Sequence, residues 1–262
     1  MGLTSDSQSL RVLCYYCLIF VVVYGLLFIL RPLRDSISRD YPSVLALNLF
    51  LLALTLSLLL AIEGRSAIRL LTRRRGLLRS FILSSGVIMA LNLIAIGYWM
   101  LVRGTSLNSI LRRMEELADG YKVPWFGSVP PHLLPLAAIV IWSVSGFFYF
   151  TLVQAYGIEK LGRKGVLLAV IASSLLYNAP LLTGEWKPDD LLILCLLFPL
   201  VYWISGNSLG LVISYVTMFE LPVAAAYTQG WGHAGFLLIL GFRTVVGLLS
   251  LASIPYVVRK QP

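Results

Sequence analysis

Residues 191–219 read LLILCLLFPLVYWISGNSLGLVISYVTMF, a run without one charged side chain. As a single α-helix it would extend ~44 Å at about 1.5 Å per residue, well beyond a hydrocarbon core of ~30 Å. Its middle, Ser205-Gly206-Asn207-Ser208, is a cluster of turn-forming residues. The run therefore reads as two antiparallel membrane helices, about 191–204 and 208–227, with Glu220 inside the second. Backbone groups in hydrocarbon have no water to bond, so apolar runs of this kind must close their hydrogen bonds within a helix.

The same reading extends outward. Apolar runs at about 12–30, 41–62, 80–102, 134–156, 165–182 and 236–258 predict six further spans. Arg31-Pro32 ends the first, and Glu63-Gly64 closes the second. Tyr98 and Trp99 anchor the end of the third at the interface. Gly157–Lys164 reads as a short basic loop and Thr183–Asp190 as an acidic one. Gly230, Gly232 and Gly235 predict a loop over Thr228–Gly235. In the polar stretch 103–131, Leu107, Ile110, Leu111, Met114 and Leu117 recur at helical spacing, which predicts an amphipathic interfacial helix over about 107–117. The expected fold is all-α: a polytopic membrane bundle of about eight transmembrane helices plus that surface helix, in one domain spanning 1–262. No repeat period interrupts it.

Composition agrees. Of the 262 residues, 58% are apolar and 13% charged, where a soluble domain carries about a quarter charged residues. The net charge of +9 would raise nucleic acid as a partner in a soluble protein. Here the basic residues lie between apolar runs, so the expected partner is a bilayer with anionic headgroups, and no nucleic acid. With the N-terminal side as reference, 12 Lys and Arg fall on that side and 8 on the other. That bias predicts a cell-membrane protein with both termini cytoplasmic, the Arg-rich loop Arg65–Arg79 being the main determinant. The first run ends without a small-residue cleavage site, so no cleavable signal peptide is expected, and Asp6 stands where a myristoylation motif needs Ser or Thr.

Few residues carry chemistry. Glu220 and Arg243 are the ionisable residues expected inside spans, and such residues cost a few kcal/mol or more unless paired. Glu220 lies ~18 Å and Arg243 ~12 Å from opposite faces at about 1.5 Å per residue. The depths coincide on consecutive antiparallel helices, which predicts an intramembrane ion pair. Asn178, Tyr177, Tyr215, Thr217, Ser214, Gln154 and Ser145 are polar residues within reach of such a centre. Gly206-x-x-x-Gly210 offers a close helix contact. Cys14 and Cys17 share a helix face, but nothing completes a metal or redox site, and packing is the expected role. Glu115-Glu116 beside Arg112 and Arg113 reads as a solvated salt-bridge face. His132 and His233 lie in predicted loops without metal-ligand spacing, and no metal or cofactor is expected.

The rhythm of residues 135–225 resembles the CAAX-protease and bacteriocin-processing (CPBP) intramembrane endopeptidases. Leu161-Gly162-Arg163-Lys164-Gly165, leading into Val166–Tyr177, is similar to the stretch before that family's second motif, and Asn207-Ser208-Leu209 to the turn before its third. The resemblance implies an eight-helix bundle and hydrolysis by a Glu-Glu-x-x-x-Arg helix with two histidine motifs. This chain departs at those positions. Ser145, Gly146 and Phe150 stand for Glu, Glu and Arg, the segment Leu176–Pro180 has no histidine, and Val216 and Glu220 stand for His and Asn/Asp. A second register would use Glu159 and Arg163. The expectation is a degenerate, non-catalytic relative that binds a membrane protein or peptide as a partner or scaffold. The alternatives are an active, divergent endopeptidase with Glu220, Asn178 and Tyr215 as catalytic candidates, and a small-molecule transporter or channel subunit centred on Glu220 and Arg243.

Overall fold

A computed structural model describes residues 3–64, 66–67, 76–110, 112, 124–177, 191–220 and 232–259. The secondary structure of these residues is entirely helical, with no strand. In chain order, α1 is Leu3–Leu30, α2 is Arg34–Arg39, α3 is Tyr41–Glu63, and α4 is Leu77–Leu101. α5 is Leu134–Gly146, which runs through a π-helical stretch, Phe147–Ala155, into α6, Tyr156–Leu161. α7 is Arg163–Tyr177. A second π-helical stretch, Leu191–Leu197, leads into α8, Phe198–Ser205. α9, Ser208–Tyr215, passes into a third, Val216–Glu220. α10 is Gly232–Arg259.

Among the described residues, five helical runs are long and apolar enough to cross a membrane: Ser7–Leu33, Tyr41–Glu63, Leu77–Leu101, Pro131–Leu161 and Leu237–Arg259. They correspond to the first, second, third, fourth and eighth expected spans. The other three expected spans are helical where described but shorter: α7, the run Leu194–Ser205 and the run Ser208–Met218. Residues 178–182 and 221–227, which would extend two of these, lie outside the described residues. So does most of the expected surface helix, of which 107–110 and 112 are helical. Glu115 and Glu116 fall in the same undescribed part.

Two expected loops are corrected. The helix through Gly157 continues to Leu161 and stops at Gly162, whose φ of 57° only glycine adopts readily. Gly157 sustains the helix because it lies against the Tyr16 ring, where a side chain would not fit. Gly232 and Gly235 likewise belong to α10 and not to a loop.

Local chemistry explains other boundaries. Asp40 caps α3 by accepting from the Ser43 N–H at 3.0 Å, with Pro42 in the first turn. Asn207 caps α9 by accepting from the Gly210 N–H at 3.0 Å. Gly206 closes α8 at φ 70°. These two residues make the tight reversal expected inside the uncharged run. Pro199 opens α8 where the π-helical stretch ends, at a residue that has no N–H for either ladder.

Gly64, Gly76, Gly162 and Gly206, all with positive φ, sit at one end of the bundle. Lys160 joins Glu63 there, Tyr202 joins Glu159, and Gly76 lies against the Ser205 carbonyl. The start of α1 and the end of α10 come to this end too. Tyr16 packs on Gly157, while Leu251 and Ile254 pack on Gly86 in the first half of α4. At the opposite end, Tyr41, Trp125, Phe126 and Trp142 form an aromatic cluster, with Trp125 and Phe126 centroids 4.6 Å apart. The Tyr41 N–H donates to Ser128 Oγ at 2.9 Å and ties that cluster to α3.

Close helix approach depends on missing side chains. A Cβ at Gly210 would strike the Leu77 carbonyl and Phe81 N, and one at Gly165 would strike Gly157. Gly210 thus makes the contact expected of Gly206-x-x-x-Gly210, while Gly206 serves as a cap. Outward faces carry exposed large apolar side chains, among them Phe28, Phe50, Ile94, Leu238 and Leu249. In water such surfaces would drive association, whereas lipid tails satisfy them.

Candidate functional site

Buried hydroxyls join the helices across the core. Ser80 on α4 bonds Ser205 on α8, and Ser205 in turn donates to the Val201 carbonyl at 2.7 Å. Ser85 on α4 and Ser214 on α9 lie 2.9 Å apart. Thr151, in the first π-helical stretch, donates to Ser208 at 2.8 Å. All six side chains are buried. In hydrocarbon an unpaired hydroxyl is costly, so mutual pairing at helix contacts is how such residues are accommodated.

The residues expected around a polar centre are dispersed among separate partners. Ser145 donates to Asn48 Oδ1 at 2.9 Å. Gln154 donates to the Leu194 carbonyl at 2.7 Å, and its Oε1 has no partner among the described residues. Ser214 is taken by Ser85, and Thr217 bonds back to the Ile213 carbonyl at 2.7 Å. The Tyr215 ring meets Phe150 edge-on, with centroids 5.4 Å apart. Tyr177 is the last residue of α7, and Asn178 lies outside the described residues.

Glu220 ends the third π-helical stretch, and its side chain is outside the described residues. Arg243 is placed more fully. It shares a face of α10 with Ile239 and Gly247, and Gly247 packs against Met89 and Met218. The guanidinium therefore belongs to the stripe facing α4 and the stretch that carries Glu220. Its Nε is buried and has no hydrogen-bond partner among the described residues.

A charged cluster that sequence reading missed lies at the glycine-turn end. Glu63 is the last residue of α3, with its side chain 5% exposed, and it accepts three donors. The Tyr156 hydroxyl reaches Oε1 at 2.9 Å, Ser66 Oγ reaches Oε2 at 2.9 Å, and Lys160 Nζ closes on the same Oε2. Tyr156 is itself held edge-on by Tyr15, at 4.6 Å between centroids. The Tyr15 hydroxyl donates to the Leu152 carbonyl at 3.0 Å, and that of Tyr16 to the Val153 carbonyl. The neighbouring Glu159 accepts from the Tyr202 hydroxyl at 2.9 Å. Consecutive residues of α6 thus grip α3 on one side and α8 on the other. Topology held the signal: two spans lead to Glu63 and four to Lys160, both even numbers, so both residues return to the N-terminal face.

The remaining candidates are plainly placed. Gly162 interrupts the helix between Glu159 and Arg163, so the second register of the CPBP comparison does not lie on one continuous helix. Cys14 and Cys17 are exposed on the outer face of α1, while Tyr15 and Tyr16 between them are buried. His132 is exposed in a short 3-10 turn, and His233 sits in the first turn of α10. No group of three metal-ligating side chains occurs among the described residues. No protein-family model, curated protein or solved structure matches the chain.

Proposed function

We propose that this is a multi-pass membrane protein with a CPBP-like bundle that binds a membrane protein or peptide without hydrolysing it. The observation carrying this reading is the mutual pairing of Ser80 with Ser205, Ser85 with Ser214 and Thr151 with Ser208. These polar side chains hold helices together instead of facing a shared reaction centre. General acid–base hydrolysis needs a titratable side chain, most often an imidazole or a carboxylate, within hydrogen-bond reach of a water and its substrate. Glu63 is engaged by its three donors and Glu159 by Tyr202, which supports a structural role for both.

The test uses purified protein in nanodiscs with a prenylated C-terminal peptide and a hydrophobic membrane peptide, followed by mass spectrometry. Retention of either peptide uncleaved is expected. Cleavage that disappears in Glu220→Gln would establish the endopeptidase alternative and remove this reading.

Arg243 favours a second reading. A guanidinium facing the bundle, with an Nε that has no hydrogen-bond partner among the described residues, on a helix long and apolar enough to cross a membrane, is a functional residue by default, and Glu220 is the acidic partner we assign to it. The pair would form the centre of a small-molecule pathway. Flux of a charged solute into proteoliposomes that is lost in both Arg243→Gln and Glu220→Gln would favour it. Flux equal to that of empty liposomes would exclude it.

A further inference from the structure

A second guanidinium has buried nitrogens without a hydrogen-bond partner among the described residues, and its position differs from that of Arg243. Arg79 lies in the first turn of α4, at the glycine-turn end. Its Nε and Nη2 are buried, and neither has a hydrogen-bond partner among the described residues. Guanidinium N–H groups that leave water unpaired forfeit strong charge-assisted bonds, and an anion of matching geometry restores them.

The surroundings indicate the kind of anion. Gly86 against Leu251 and Ile254, together with Gly247 against Met89, fixes an antiparallel register between α4 and α10. Arg79 is about two turns before Gly86, and Arg259 is about two turns beyond Leu251. The two guanidinium-bearing residues therefore sit at nearly the same level on adjoining helices. Arg73, Arg74 and Arg75 precede Gly76 directly in sequence. Arg79 and Arg259 at one level repel each other without a counter-anion. The level is that of Glu63, Leu77 and Arg259, the ends of three helices long and apolar enough to cross a membrane.

We propose that Arg79, together with Arg259, binds the phosphate of an anionic phospholipid at the membrane surface. A phosphodiester offers two oxygens to the planar fork of one arginine, which lysine cannot match. The proposal rests only on the membrane part of the reading above and is independent of whether the protein binds a peptide or moves a solute.

The experiment measures lipid binding to detergent-purified, full-length protein by native mass spectrometry and thermal unfolding. Phosphatidylglycerol, phosphatidylcholine and inorganic phosphate are added in separate arms. Phosphatidylglycerol is expected to bind and to raise the unfolding temperature, and phosphatidylcholine and inorganic phosphate are not. Arg79→Gln should weaken phosphatidylglycerol binding at least about fivefold, the scale of one basic side chain near an anionic surface, with Arg79→Lys intermediate. Arg259→Gln, at an exposed position, is the second variant should Arg79→Gln fail to fold, and it should weaken binding in the same direction. Unchanged phosphatidylglycerol affinity in a folded Arg79→Gln or Arg259→Gln protein would overturn the proposal. Inorganic phosphate reproducing the stabilisation would overturn the lipid as its source. A protein extracted from membranes without detergent would instead defeat the membrane reading itself.

Discussion

Replacing Lys160 with methionine removes the ammonium from Glu63 Oε2 while keeping the aliphatic length of the side chain. The carboxylate then stays 5% exposed with only the Tyr156 and Ser66 hydroxyls, each at 2.9 Å. Breaking a fully buried pair costs about 3–5 kcal/mol, because a charge is left uncompensated. Lys160 is 27% exposed, so part of its charge is screened. We therefore expect about 2–3 kcal/mol for Lys160→Met. Glu63→Gln should cost less, about 1 kcal/mol. The amide still accepts from Tyr156, and the freed ammonium reaches the headgroup region along its flexible stem. The double variant should resemble Glu63→Gln, giving a coupling of about 2–3 kcal/mol. Thermal unfolding of the four proteins, followed by tryptophan fluorescence in one detergent at one lipid ratio, measures it. Lys160→Met no worse than Glu63→Gln, or a coupling under about 0.5 kcal/mol, would refute the assignment of this cluster as the joint between α3 and α6.

Three further outcomes are expected. Gly210→Val and Gly165→Ala should each destabilise by about 1–3 kcal/mol despite the higher helix propensity of the new residue, since the added carbon meets backbone that cannot move aside; unfolding temperatures check the sign. Ser85→Ala and Ser214→Ala should each cost only about 0.6 kcal/mol, and the double variant little more than either alone; additive losses would show that the two hydroxyls do not depend on each other. Cys14 and Cys17 should react with a maleimide in folded, detergent-solubilised protein while Cys195 reacts only after denaturation, as read by intact-mass shifts.

Sequence alone reveals those elements whose cause is local. The long spans follow from uninterrupted apolar runs, and the reversal at Gly206-Asn207 follows from a glycine cap meeting an asparagine cap. The helix through Gly157 and the start of α10 were hidden because glycine reads as a breaker in isolation. At Gly157 the Tyr16 ring, 141 positions away in sequence, makes it a packing residue instead. The π-helical stretches have no sequence signature that composition exposes. The Glu63 cluster was hidden for a related reason: a charge at a span end looks topological until the neighbouring span end is placed beside it. For Glu220 and Arg243, depth counting puts both in one layer; Gly247, one turn from Arg243, packs on Met218, while the Glu220 side chain lies outside the described residues.

The glycine turns also set how the bundle can deform. One end is stitched by Glu63 with Lys160, Glu159 with Tyr202, Ser80 with Ser205 and the backbone approach of Gly76 to Ser205. The aromatic cluster of Tyr41, Trp125, Phe126 and Trp142 lies at the other end. Any separation of helices that leaves those joints intact must therefore open away from them, as fingers spread from a closed palm. The molecule is thus joined by different chemistry at its two ends: charge pairs and hydroxyls at the glycine-turn end, and stacked aromatic rings around Trp125 at the other.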